Sequence, residues 1–259
     1  MKKLELTDKV ALITGAAGAI GKAVAQQLQE NGATIVLTDI AEAKVKAVAA
    51  ELGEGIQAFG ADITNEADVR HVVNTAYATH KHIDILVNVA GIVGQGRVED
   101  ITQEEWEKMF AVNCRGTFLF TKYTVPHMKE NKRGKIINFS SKSGKTGSAL
   151  MSHYCAAKGA IIAFTQALAY ELADFNINVN CVCPGITDNS GVWANVSAGY
   201  TKNLNLPKDE VVKKFTAKIP LKRLATVNDI AAVTTFLASP GSDYMTGQAI
   251  NITGGREMH

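Results

Sequence analysis

The sequence lacks the features that mark several large protein classes. It has no run of ~18–20 uninterrupted apolar residues, so no membrane span is expected. Its beginning, Met1 to Lys9, is basic but has no apolar stretch of the secretory kind, and a cytoplasmic location is expected. Charge of one sign is missing too. Lys+Arg 27 against Asp+Glu 25 gives a formal net charge of +2, without a long like-charged run, so a nucleic-acid partner is not expected. Cysteine is scarce. Cys114, Cys155, Cys181 and Cys183 match no zinc or thioredoxin spacing. Cys181 and Cys183 alternate along an apparent strand, and the cysteines are read as core thiols. No cluster of His, Cys and carboxylate has metal spacing, which argues against a metal-dependent hydrolase.

What is present is an ordinary globular composition, 46% hydrophobic and 20% charged over 259 residues, enough for one large α/β domain or two small ones. The chain alternates short apolar runs with helical patterns. Strands are expected at about 9–14, 33–38, 56–60, 83–88, 134–139, 177–182 and 248–252. Helices are expected after Gly21, at 41–52, 66–79, from 103 past 123 with a break near Asn113, at 152–174 and at 229–238. Strand–helix alternation with continuously apolar strands predicts an α/β fold, a doubly wound parallel sheet of Rossmann type with helices on both faces. No composition shift marks a linker, so 1–259 is read as a single dinucleotide-binding and catalytic domain. Residues 186–220 carry Asn, Ser, Gly and Pro without a clean period; a substrate lid is expected there, a plain surface excursion being the alternative.

Thr14-Gly-Ala-Ala-Gly-Ala-Ile-Gly21 lies between the first strand and the first helix. A tight turn needs residues without bulk, and the helix start offers N–H groups and a positive dipole end to a pyrophosphate. Gly15, Ala17, Gly18, Ile20 and Gly21 are the expected contacts. Asp39 ends the second strand, where a carboxylate accepts from the adenosine ribose hydroxyls and repels the extra phosphate of NADP. Ile40 follows it, and positions 16 to 20 hold no Arg or Lys, so NAD is the expected cofactor. Further along, Tyr154-Cys-Ala-Ala-Lys158 puts a phenol and an ammonium four residues apart, on one helix face. A free tyrosine titrates near ~10, and a close cation favours its phenolate.

These elements, with Asp62-Ile63, Asn88-Val-Ala-Gly91, Asn113, Ser141 and Pro184-Gly185 in order, resemble the classical short-chain dehydrogenases/reductases over nearly the whole chain. The resemblance implies a catalytic tetrad of Asn113, Ser141, Tyr154 and Lys158. It implies that Tyr154 exchanges a proton with the substrate oxygen and Ser141 hydrogen-bonds that oxygen. Lys158 lowers the tyrosine pKa and holds the nicotinamide ribose, while Asn113 positions a water linking Lys158 to solvent. Asp62 and Ile63 contact adenine, Asn88 lies beside the adenosine ribose, and Ala90, Gly91, Pro184, Gly185 and Thr187 complete the cofactor slot. A homotetramer is also implied. Three positions depart from the family pattern: Ala19 stands at the middle glycine of the turn, Val89 at a sheet-supporting asparagine, and Asn189 at a carboxamide-binding threonine.

Ser141 to Ser148 and Tyr244 to Gly255 are similar to the polyol branch of the family, including sorbitol-6-phosphate 2-dehydrogenases. The expected substrate is therefore a polyol or keto-sugar. Lys142 and Lys145 flank Ser141 and suit a substrate phosphate; the alternative is that both face solvent. Ser143 is expected to line the pocket, and Trp193 to cap an apolar part of the substrate or to pack the lid. A reductase of small diketones or 3-oxoacyl thioesters is the alternative enzyme, and a non-catalytic NAD-binding scaffold a third reading. One outcome tests the cofactor assignment. Asp39→Ala with Ile40→Arg moves the kcat/KM preference from NADH towards NADPH; an unchanged preference means that another group reads the ribose.

Overall fold

A computed structural model describes residues 4–188, 190 and 207–259. Seven strands, β1 (Val10–Thr14), β2 (Thr34–Asp39), β3 (Gln57–Gly60), β4 (Ile85–Asn88), β5 (Gly134–Phe139), β6 (Ile177–Pro184) and β7 (Ala249–Ile252), pair in the order β3-β2-β1-β4-β5-β6-β7. Every neighbouring pair is parallel. The helices are α1 (Ala19–Glu30), α2 (Glu42–Leu52), α3 (Glu66–His80), α4 (Gln103–Phe110), α5 (Gly116–Asn131), α6 (Ser143–Thr146), α7 (Ser152–Leu172), α8 (Lys208–Thr216) and α9 (Val227–Ala238).

The apolar strands serve two cores at once. Successive side chains of a strand point to opposite faces. Ala11, Ile13, Ile35, Leu37, Ile85 and Val87 join the core under α1, α2 and α9. Their neighbours Val10, Leu12, Val36 and Leu86 join the core under α3, α5 and α7. A sheet covered on both faces has no polar stripe, so the strands read as unbroken apolar runs.

Helix starts follow local capping. Asn65 accepts from the N–H groups of Ala67 and Asp68 and opens α3. Thr226 and Asp229 form a capping box, which starts α9 two residues before the expected Asp229. The expected break near Asn113 is a π-helical turn over Ala111–Arg115 joining α4 to α5, a distortion frequent at functional sites. Cys181 and Cys183 are fully buried, whereas Cys114 and Cys155 are only partly so. Of the expected lid, residues 191–206 lie outside the described residues, and Lys208–Thr216 form a helix that the sequence period did not reveal.

The sheet order reverses between β1 and β4, both running from the centre in the same direction. Such a crevice at the carboxyl ends of the strands is where ligands bind in open α/β sheets. Here Thr14 pairs with Asn88, and the turns that follow them touch. Gly15 has φ +66°, and a Cβ there would lie 2.7 Å from the Ala90 Cα.

Candidate active site

The glycine turn is built as its residue types require. A Cβ on Gly21 would fall 2.3 Å from the Gly15 carbonyl oxygen, so the start of α1 packs directly on the turn. Gly18, by contrast, has φ −77° and caps the helix in extended backbone open to any residue. Ala19 is the first residue of α1, where alanine is favourable, and the departure from the family glycine leaves the turn intact. Asp39 reaches into this turn. Its Oδ2 accepts from the Ala17 N–H at 3.1 Å and its Oδ1 from the Ala41 N–H at 3.0 Å, while Ile40 is 74% exposed. The N–H groups at the start of α1 and this bare glycine cradle fit a dinucleotide pyrophosphate.

Asn88 is buried in the sheet. Its Nδ2 donates to the Asn138 Oδ1 at 2.9 Å, and the Asn138 Nδ2 donates to the Thr165 hydroxyl at 3.0 Å. Asp62 turns its Oδ1 towards the Thr64 N–H and hydroxyl, both 2.8 Å away, and Ile63 fills the space left by the missing side chain of Gly116. Both stand at the same carboxyl end of the sheet as the glycine turn.

Beyond β5 and β6 a cavity of about 150 Å³ opens. Ser141, Lys142, Ser143, Tyr154 and Lys158 line it together with Ile20, Gly91, Pro184, Gly185 and Thr187. The remaining expected cofactor residues lie along the strand ends outside it. Lys145 is not in it: its ammonium donates to the Ala249 carbonyl of β7 at 2.6 Å. The one-turn helix α6 separates the two lysines, so Lys145 does not act on a group bound beside Ser141. Trp193 and Asn189 lie outside the described residues. Arg256 and Phe215 line the cavity and were not expected. The left-handed pair Gly254-Gly255 ahead of Arg256 was the available signal, because it turns the chain back after β7.

Tyr154 and Lys158 share the inner wall of the cavity and are 7% and 5% exposed. Burial pushes the Tyr154 phenol up to about 12, against a hydrogen bond with Ser141 that acts the other way. Burial also brings the Lys158 ammonium down to about 8. In this ligand-free structure burial, and not the neighbouring ammonium, sets the direction for Tyr154. The ammonium donates to the Phe139 carbonyl at 2.8 Å and lies 5.9 Å from the Tyr154 ring centroid, so desolvation dominates both groups.

Asn113 is 1% exposed within the π turn. Its Nδ2 donates to the carbonyls of Ile92 at 3.0 Å and Met109 at 3.1 Å. Its Oδ1 has no partner among the described residues, a buried acceptor facing Gly91. A Cβ on Gly91 would lie 2.6 Å from this oxygen and 3.2 Å from the Lys158 Nζ. Gly91 therefore marks where asparagine and lysine approach one another. Among the described residues, no group of three His, Cys or carboxylate side chains could hold a metal, and no helix is long and apolar enough to cross a membrane.

A family model described as enoyl-(acyl carrier protein) reductase matches residues 15–257. Galactitol 2-dehydrogenase of Agrobacterium fabrum is 38% identical over 256 residues, covering 98% of this chain and 100% of that protein. The crystal structure of 3-ketoacyl-(acyl-carrier-protein) reductase from Brucella melitensis complexed with NADH matches at TM-score 0.89 and 33% identity, over 98% of this chain and 100% of that one. NAD+-bound xylitol dehydrogenase matches at TM-score 0.91 and 31% identity, over 96% of this chain and 99% of that one.

The crowding at Gly91 yields a test. Gly91→Ala forces Asn113 or Lys158 to move by close to 1 Å, and kcat/KM falls by roughly 100-fold while the melting temperature changes little. Full activity in this variant would show that the approach of Asn113 and Lys158 is not used.

Proposed function

From a chain that belongs to the short-chain dehydrogenase/reductase family, we propose an NAD-dependent oxidoreductase that interconverts a secondary alcohol and a ketone on a polyol or keto-sugar. The observation that carries it is the joint burial of Tyr154, Ser141 and Lys158 on one wall of a cavity that opens beside the glycine turn. The family relatives include a galactitol 2-dehydrogenase and a xylitol dehydrogenase. NAD is the cofactor, and its nicotinamide, when bound, gives up or accepts the hydride. The glycine turn and the N–H groups at the start of α1 would hold its pyrophosphate, and Asp39 would hold its adenosine ribose.

The chain's own residues handle the proton. Tyr154 is neutral at physiological pH in the ligand-free protein, since its phenol is pushed up to about 12. In that state it is the donor that a carbonyl oxygen needs on reduction. In the oxidative direction Tyr154 first gives up its own proton towards solvent, and its phenolate oxygen then accepts the proton of the alcohol. The Ser141 hydroxyl bonds the reacting oxygen, and the Ser143 N–H donates to the Ser141 Oγ at 3.1 Å, which fixes that hydroxyl. Lys158 supplies positive charge below its pKa of about 8. Asn113 keeps its bonds to Ile92 and Met109 and offers its Oδ1 to a water on the way to Lys158. A homotetramer in the cytoplasm completes this reading.

A second reading, reduction of small diketones or 3-oxoacyl thioesters, draws support from the apolar side of the cavity, where Ile92, Met151, Ile186 and Phe215 stand. NADH oxidation with fructose, acetoin and an acetoacetyl thioester separates the two, fructose being turned over fastest under the polyol reading. Tyr154→Phe tests the proton step in the same assay. Turnover drops by roughly 100- to 10,000-fold, while NADH binding, followed by its fluorescence, is kept. Retained turnover in that variant removes Tyr154 from the mechanism.

A further inference from the structure

The charged groups at the rim of the cavity play no part in the proton path. Lys142 lines the cavity from the β5 side and Arg256 from the chain's end. We propose that Lys142 and Arg256 form a clamp for an anionic group, phosphate or carboxylate, at the end of the substrate remote from the reacting carbon. This rests on the oxidoreductase reading above and names the substrate class more narrowly.

The fold invests in placing Arg256. Gly254 and Gly255 have φ +64° and +88°, and a Cβ on Gly254 would lie 2.7 Å from the Ile219 Cγ2. The turn is closed by the Arg256 N–H donating to the Thr253 carbonyl at 3.3 Å. Behind it, the Asn251 Nδ2 donates to the Glu257 carbonyl at 3.1 Å and the Glu257 N–H donates to the Thr253 hydroxyl at 3.3 Å. The guanidinium lies over the Phe215 ring, 5.5 Å from its centroid. An arginine meant only for solvent needs none of these restraints.

The charges do not cancel. One carboxylate, Glu257, faces both cations, at 3.7 Å from the Lys142 Nζ and 3.4 Å from the Arg256 Nε. Both distances exceed a charge-assisted hydrogen bond. The Lys142 side chain is 14% exposed, and burial with the charge of Arg256 holds its ammonium below the usual lysine range. The Arg256 Nη1 and Nη2 have no partner among the described residues. A planar fork of free donors beside a second, partly desolvated cation matches the oxygens of a phosphate or carboxylate. A neutral sugar would leave those donors without an acceptor of that charge.

The test is the NADH-driven reduction of fructose 6-phosphate, 5-ketogluconate and fructose by the wild type, Arg256→Gln, Arg256→Lys and Lys142→Gln. In the wild type, kcat/KM for one of the two anions exceeds that for fructose by about 10- to 100-fold. The favoured anion identifies phosphate or carboxylate. Arg256→Gln and Lys142→Gln cut this ratio by roughly tenfold or more, chiefly through KM. Arg256→Lys keeps part of it, because charge remains while the fork is lost. Fructose matching or outrunning both anions, or an equal loss on all three substrates, overturns the clamp. If none of the three is reduced, the polyol reading itself falls. The clamp is then judged by binding alone: inorganic phosphate raises the melting temperature of the ligand-free wild type and raises it less in Arg256→Gln. Equal shifts in the two proteins overturn it.

Discussion

A lysine ammonium kept inside the protein is the constraint on which the site depends. Water would solvate that charge far better than the interior does, so the surrounding chain must hold it with fixed dipoles. The Phe139 carbonyl, at the end of β5, accepts a hydrogen bond from it at 2.8 Å. The backbone of Lys158 is held from the other side, where the Ser140 hydroxyl donates to its carbonyl at 2.7 Å. Gly144 comes so close that a Cβ there would lie 2.6 Å from the Lys158 carbonyl carbon. Gly91 gives way on the third side. Gly91 and the end of β5 are thus fitted around the Lys158 ammonium, while Ser140 and Gly144 pack on its backbone and bring the loop carrying Ser141 against α7.

The same burial sets the protonation states. Tyr154 is held neutral and Lys158 is held near the edge of losing its proton. Four-residue spacing on a helix speaks of proximity between phenol and ammonium and nothing of desolvation. Spacing placed the two residues on one face of α7 correctly. It could not reveal that this face looks into an enclosed wall, nor that the ammonium would turn to the Phe139 carbonyl.

The fold was largely legible because parallel strands covered on both faces are apolar throughout, and every expected strand from β1 to β7 is present. The cofactor turn was legible as well, since Gly15 and Gly21 meet backbone where any Cβ would collide. Less was visible where contacts are made by residues far apart in sequence. Lys142 and Lys145 look equivalent along the chain, yet α6 sends one to the cavity and the other to the edge of β7. Arg256 enters the site from the far end of the chain, after a turn whose only local mark is a glycine pair. The π turn at Asn113 has no simple sequence period, and α8 is a short, polar helix lying inside a stretch rich in Asn, Ser, Gly and Pro.

The buried Lys158 charge is a cost that the fold bears, and unfolding free energy measured against pH tests this directly in the wild type and Lys158→Met. In the folded protein the ammonium titrates at about 8, against ~10.4 for an unperturbed lysine. Below the lower value both states are protonated and the penalty, about 3 kcal/mol, is fully present. Between the two the unfolded chain binds the extra proton, so the wild type gains stability as pH rises. The prediction is a variant more stable than the wild type below pH 8, with the gap closing by about 3 kcal/mol towards pH 10.5. A stability difference that does not change with pH across that window would contradict it.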